Sequence, residues 1–492
     1  MDGIEDGFNC TVEGRTSTKA QRIKTLQQSK RHNETPEAYI TYTECEEKCN
    51  KHVHGFCSEI LQAYPHLKSR LFVNPENEYG SKRFVCTTIQ PTLLPQTEIY
   101  NLRRCSEFVS RYVDYEPLGV IDNGDASFLE YPVVSPAQTI NWATGDCFDM
   151  SFLLASLLCG AGYDAYVVLG NAPAWIRRKD QSHMQCTLEE CSDGIVDKSA
   201  PCIGISLKDK SFKQRCSIPD ESVAGIHCWV LVKPDKRDID DGPVFVESST
   251  GICYPVDAAS PYLDIWSVWN NENCWVNVKD ASTKELGIEF VDNKKWVHLY
   301  PGKELSVPPY SWVGRLQLSS DQFRLSYPSG RRSIKLRKAA LEFFGYGVDP
   351  QGLAARVSFY DDLARTVMLQ CTELFFPNQR KDYMIRRVRR PKEMMHQEFF
   401  SLKNEFSICE KKEIAGRQEC IKFYYNTRAD GLVDRVEEIG NVASITENFQ
   451  DRFDGLSCRI SYLTPLPSIG VKGPKPNVVG TGMGLAILNQ IE

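Results

Sequence analysis

Two stretches far apart in the chain share one frame, an aromatic residue, seven intervening residues and then GLxxRV. Phe344 stands eight residues before Gly352 in GLAARV, and Phe423 stands eight before Gly431 in GLVDRV. Downstream, Arg380-Lys381-Asp382 with Arg387 matches Arg452-Phe453-Asp454 with Arg459, each arginine five residues past its aspartate. Such a unit holds a strand, a glycine-bearing turn and a return strand, and it buries its apolar side only against its neighbours. The repeat therefore predicts a β-rich domain of duplicated hairpins over residues 316–465, with two copies of unequal length. The segment 466–492, rich in Pro and Gly, predicts a flexible tail.

Upstream the pattern changes. Asn141 to Tyr166, NWATGDCFDMSFLLASLLCGAGYDAY, predicts a helix that is apolar almost all round, capped by Thr144 or Asp146 and ended by Gly160 and Gly162. YDAYVVLGNA follows as a buried strand. Two more strands, IHCWVLVK (226–233) and PVFVESST (243–250), are joined by the turn PDKRDIDDG. A helix leading into several strands predicts an α+β module. It continues through Trp266, Trp269, Trp275, Trp296 and Trp312 to about residue 315, with helical segments near 38–67 and 98–117 at its start. Within this 41–315 region, residues 173–222 are polar and predict a long surface insertion. Residues 1–40 lack the apolar content for a core and predict a flexible arm.

At 492 residues the chain has room for two or three domains. No window approaches the run of about 18 apolar residues that a bilayer demands. The acidic start MDGIEDGFNC lacks the order of a secretory signal, so the expectation is a cytoplasmic protein. Its 19 cysteines are odd in number and irregularly spaced, which predicts reduced thiols rather than a disulfide framework. A net charge of -6 points neither to nucleic acid nor to an anionic membrane surface.

Three residues carry potential chemistry. Cys147 sits in the first turn of the apolar helix, where the helix dipole favours thiolate; a small packing residue is the plainer reading of a lone cysteine there. His227 lies in one strand and Glu247 in the next, completing an order of nucleophile, base and orienting carboxylate. As cross-strand neighbours the carboxylate would fix the imidazole tautomer. Two further clusters stand out. Cys45, Cys49, His52, His54 and Cys57 lie within CEEKCNKHVHGFC, but their spacing matches no standard zinc site, and neither metal nor cofactor is expected. Arg386, Arg387, Arg389, Arg390 and Lys392 form a positive run, either a solvated face or a contact for acidic partners.

GDCFDMS, HCWVLV and FVES in this order resemble the Cys, His, Asp core of transglutaminase-like proteins, a papain-related α+β fold, with Glu247 in place of the usual aspartate. FVCTTIQPT, EIYNLRRCSEFVSRYVDYEPL, CFDMSFLLASLLCGAGYDAY, SVWNNENCWVNV and the paired GLxxRV hairpins resemble the dynein regulatory complex subunit 7 family, also called coiled-coil domain-containing protein 135, over roughly residues 60–465. That resemblance implies a structural subunit of the nexin-dynein regulatory complex of the ciliary or flagellar axoneme, linking doublet microtubules and regulating dynein. Its partners would be coiled-coil subunits of that complex, since this chain has little coiled-coil periodicity of its own. The alternative is a cytosolic cysteine peptidase or transglutaminase-type acyl transferase acting through Cys147, His227 and Glu247. A zinc-dependent deglycosylating relative of the same fold is disfavoured by the lack of paired CxxC motifs.

Overall fold

The computed structural model describes residues 17–29, 37–118, 131–184, 224–279, 290–299, 311–463 and 489–490, except for short stretches inside the three ranges between 224 and 463. Most of the expected insertion and most of the expected tail lie outside the described residues. The chain divides into two compact units, Met1–His183 with Lys213–Ser329 and Met184–Phe212 with Gly330–Glu492, so the later boundary falls between Ser329 and Gly330. That is later than the boundary expected at 315, because Leu316 and Leu318 belong to the core of the first unit and Phe323 stacks on Phe108 at 5.2 Å.

Helices in the first unit are α1 (Lys19–Ser29), α2 (Glu44–Ala63), α3 (Leu102–Tyr112), α4 (Pro136–Trp142), α5 (Cys147–Gly160) and α6 (Ala174–Arg177), with α7 (Ser320–Arg324) closing the unit. Two short strands, β1 (Asp114–Tyr115) and β2 (Thr144–Gly145), pair in parallel. The main sheet comprises β3 (Asp164–Ala172), β4 (Gly225–Lys233), β5 (Val244–Glu247), β6 (Ile252–Pro255), β7 (Asp264–Trp269), β8 (Cys274–Asn277) and β9 (Trp296–His298). Its spatial order is β6-β5-β4-β3-β7-β8-β9, with every neighbour antiparallel. Strand β3 reads as an unbroken apolar run because both of its faces are covered. Ala165, Val167 and Leu169 pack with α5, while Tyr166 and Val168 join Trp229, Phe245, Tyr262 and Trp296 on the opposite face.

Helix α5 is apolar all round for the same reason, being buried from Cys147 through Leu158. At its end, Gly160 lies against the Thr92 backbone, and a Cβ there would stand 2.0 Å from the Thr92 carbonyl oxygen. Each fully buried leucine or phenylalanine of such a helix contributes about 1.5–3 kcal/mol.

The expectation of a wholly flexible arm over 1–40 is corrected in part: α1 forms and docks, because its polar residues find buried carboxylate partners instead of an apolar core.

The second unit is a large antiparallel sheet of β10 (Arg331–Leu336), β11 (Ala339–Phe344), β12 (Leu353–Tyr360), β13 (Met368–Phe375), β14 (Met384–Arg390), β15 (Met394–Phe399), β16 (Ile408–Ile414), β17 (Gln418–Phe423), β18 (Leu432–Glu438), β19 (Ala443–Phe449), β20 (Cys458–Leu463) and β21 (Asn489–Gln490). Spatial order equals sequence order throughout. The expected two hairpin copies become a longer series. A residue with positive φ follows a strand-ending phenylalanine at every second hairpin turn: Gly352 (73°), Tyr383 (55°), Ser407 (55°), Gly431 (73°) and Gly455 (72°). Three of these turns carry the same staple. Arg380, Arg428 and Arg452 each clasp the aspartate two residues on through both Nε and Nη2, and each lies over a phenylalanine, Phe375, Phe423 or Phe449, at 4.8–5.0 Å. The aspartates Asp382, Asp430 and Asp454 then accept a backbone N–H two residues further along, as Asx turns do.

Candidate functional site

Cys147 is the first residue of α5, and Asp146 is the N-cap, resolving the choice between Thr144 and Asp146. The Asp146 carboxylate accepts the N–H groups of Phe148 (2.8 Å) and Asp149 (3.1 Å), and Asp149 returns the contact by accepting the Asp146 N–H at 3.3 Å. This reciprocal capping box fixes where the helix begins and so where the thiol sits. Cys147 has 0% exposure. Burial pushes its thiol well above the ordinary range, and the neighbouring Asp146 charge adds to this against a hydrogen bond from the Cys228 backbone N–H. The expected thiolate-favouring effect of the helix dipole is thereby overturned: in this dry position desolvation is the larger force.

His227 and Glu247 do meet, with the imidazole Nε2 2.8 Å from Glu247 Oε2. They are diagonal rather than directly opposite neighbours, because the β4–β5 register pairs Val230 with Val246 and Val232 with Val244. Glu247 is fully buried and accepts three more hydrogen bonds, from the Ser249 backbone N–H (3.1 Å), the Ser249 hydroxyl (2.7 Å) and the Tyr262 hydroxyl (3.1 Å). Burial pushes the carboxyl up, but His227 and Ser249 outweigh it and hold the group below the usual carboxylate range. An ionised carboxylate only accepts, so Nε2 is the ring nitrogen that donates to Glu247. Nδ1 is buried and without a hydrogen-bond partner among the described residues. Behind the pair, Tyr262 stacks on Trp229 at 4.0 Å and holds the carboxylate in place. Ser249 was visible beside Glu247 in the sequence; nothing marked Tyr262.

A second group surrounds the start of α5. Lys19 of α1 places Nζ 2.5 Å from Asp146 Oδ2 and 2.8 Å from Asp149 Oδ1. Tyr131 donates to Asp146 at 2.9 Å, and the Val134 N–H donates to Asp149 at 3.1 Å. Burial and the Asp146 charge push Asp149 up to about 7 despite Lys19. Beside them, the Tyr115 hydroxyl donates to the Arg177 carbonyl at 2.7 Å. Burial raises the Tyr115 phenol, and the charges of Cys147, Glu247 and Asp146 raise it further, which places this ring beside the site.

The other candidates are dispersed. On α2, Cys45 is exposed, Cys49 is buried, and His52 meets the Leu299 carbonyl through Nε2 at 3.1 Å. No cluster of His, Cys, Asp or Glu able to hold a metal occurs among the described residues. The arginines of β14 are engaged across the sheet. Arg386 binds Glu398 at 2.8 Å, Arg387 binds Glu373 at 2.7 Å with Arg389 at 3.6 Å, and Arg390 donates to Gln370 at 3.0 Å. Arg389, Arg390 and Lys392 are the exposed members of the run. No helix among the described residues is long and apolar enough to cross a membrane.

Residues 328–466 match a family model described as the dynein regulatory complex subunit 7 MORN domain, covering the hairpin sheet. Over most of its length the chain is similar to proteins named dynein regulatory complex subunit 7. It is 28% identical to that of Xenopus tropicalis, covering 86% of this chain and 56% of the relative. It is 25% identical to that of Homo sapiens, covering 87% and 56%, and 28% identical to that of Chlamydomonas reinhardtii, covering 84% and 33%. The chain thus spans about half the length of the vertebrate relatives and a third of the algal one.

Proposed function

We propose that the chain is a structural subunit of the nexin-dynein regulatory complex of the ciliary or flagellar axoneme, linking doublet microtubules and regulating dynein-driven motility. The observation that carries this reading is the similarity to dynein regulatory complex subunit 7 proteins across more than four fifths of the chain, hairpin sheet included. The first unit is then a transglutaminase-like core with Cys147, His227 and Glu247 in the positions of the triad. Support for that comes from the helix-start cysteine and the His227–Glu247 pair. With all three side chains buried, the core serves as a rigid body.

Partners are the coiled-coil subunits of the complex and the doublet microtubule and dynein assemblies. The exposed cations Arg389, Arg390 and Lys392 at the end of β14 suit an acidic helix better than the ion-paired Arg386 and Arg387 do.

Complementation of a cilium lacking the protein tests this reading. The full chain and Cys147→Ala should both restore co-purification with the regulatory complex and normal beating, while deletion of residues 330–463 should abolish co-purification. Unchanged co-purification after that deletion would sink the sheet as the docking surface. Loss of beating in Cys147→Ala with assembly intact would favour a cysteine acyl transferase or peptidase instead.

A further inference from the structure

Helix α1 is fastened to the first unit in an unusual way. Among its described residues Ile23 is the one buried apolar side chain, and its neighbours along the helix are exposed or half-buried. Its attachment is mainly polar. Lys19 is buried between Asp146 and Asp149, and its backbone N–H donates to Glu116 at 2.9 Å. Arg22 pairs with Glu116 at 2.6 Å and lies over the Trp142 ring at 5.1 Å. Gln27 reaches the Glu78 carbonyl at 3.4 Å.

Besides Glu78, these contacts reach Glu116 just past β1, Trp142 at the end of α4, and Asp146 and Asp149 at the start of α5, the helix that begins with Cys147. An isolated helix of this length is marginal in water, so α1 stays helical while docked and melts when it leaves. An element with so little apolar burial opens at a lower free energy than the core beneath it. Removing the Lys19 charge also leaves two buried carboxylates facing each other with no cation between them.

We propose that α1 is a releasable strap over the Cys147–His227–Glu247 site, latched by Lys19 between Asp146 and Asp149, and that its departure exposes the thiol. Undocking of α1 would convert a sealed core cysteine into one that a reagent or a partner can reach. This goes beyond the assembly role, and its test reads the purified chain alone, so the two stand or fall separately.

Residue-resolved iodoacetamide labelling of the full chain tests it. In the unaltered protein Cys147 should label far more slowly than the exposed Cys45. Lys19→Glu should accelerate Cys147 by at least about tenfold, because labelling tracks the population of the open form. Cys105, equally buried in α3, should stay silent. Cys147 remaining silent in Lys19→Glu would overturn the proposal, since Tyr115 and Arg177 would then seal the site without α1. Equal acceleration of Cys147 and Cys105 would overturn it too, the exposure then being general unfolding. Should Lys19→Glu not fold, hydrogen exchange on the unaltered chain decides: α1 amides should exchange faster than those of α5 and β4, and equal protection rejects a strap.

Discussion

Glu247 is completely buried and still ionised because four hydrogen bonds converge on its two oxygens, one of them from His227. Glu247→Ala would leave His227, Tyr262 and Ser249 without their acceptor, and it should cost about 3–5 kcal/mol in urea unfolding. Glu247→Gln keeps the shape but turns an NH2 group toward donors, so it should cost less, about 1–3 kcal/mol. The sign of the pH dependence follows from the depressed carboxyl. Its stabilisation is present above the ordinary carboxylate value and is lost as pH falls through its folded value, so the gap between wild type and Glu247→Gln should narrow as pH drops below about 4.3. Cys147 works in the opposite sense: its raised thiol stabilises the fold at neutral pH, and that contribution fades above about pH 9, where the unfolded chain ionises. The order of Cys147, His227 and Glu247 made this part of the site legible in the sequence, since each occupies a recognisable helix start or strand. Lys19 was not legible. It lies in a polar segment with no apolar periodicity, and its partners are 127 and 130 residues away.

The hairpin turn is the element on which the second unit is built. Its left-handed position explains why only two copies could be read: glycine fills it eight residues past the phenylalanine at Gly352 and Gly431, Gly455 stands six past Phe449, and Tyr383 and Ser407 occupy it in the intervening turns and erase the GLxxRV frame. What persists is the even spacing of Phe375, Phe399 and Phe423 and the arginine five residues past the turn aspartate, as in Asp430 and Arg435. A non-glycine residue in this region costs about 1–2 kcal/mol, partly offset by the unfolded-state entropy that glycine adds. Tyr383→Gly should therefore raise stability by up to about 1 kcal/mol in thermal melts. Gly431→Ala should lower it by about 1–3 kcal/mol, because its Cβ would stand 2.6 Å from the Gln450 carbonyl oxygen at a φ of 73°. A gain on Gly431→Ala would show that the turn relaxes.

Taken whole, the chain couples two kinds of stability. The first unit rests on large cores on both faces of its seven-stranded sheet, while the second relies on hairpin staples, cross-strand ion pairs and a smaller apolar cluster around Phe344, Leu353, Phe375 and Met384. Calorimetry should resolve two transitions, with Glu247→Ala moving one and Gly431→Ala moving the other; a single transition shifted by both variants would contradict separate units. Because every strand of the larger sheet neighbours the next in sequence, a pull that draws β10 and β20 apart does not load all ladders together. It opens them like a zip, one hairpin at a time, each yielding before the next bears weight. A sheet built in this way meets a sudden stretch by giving ground in small, recoverable steps.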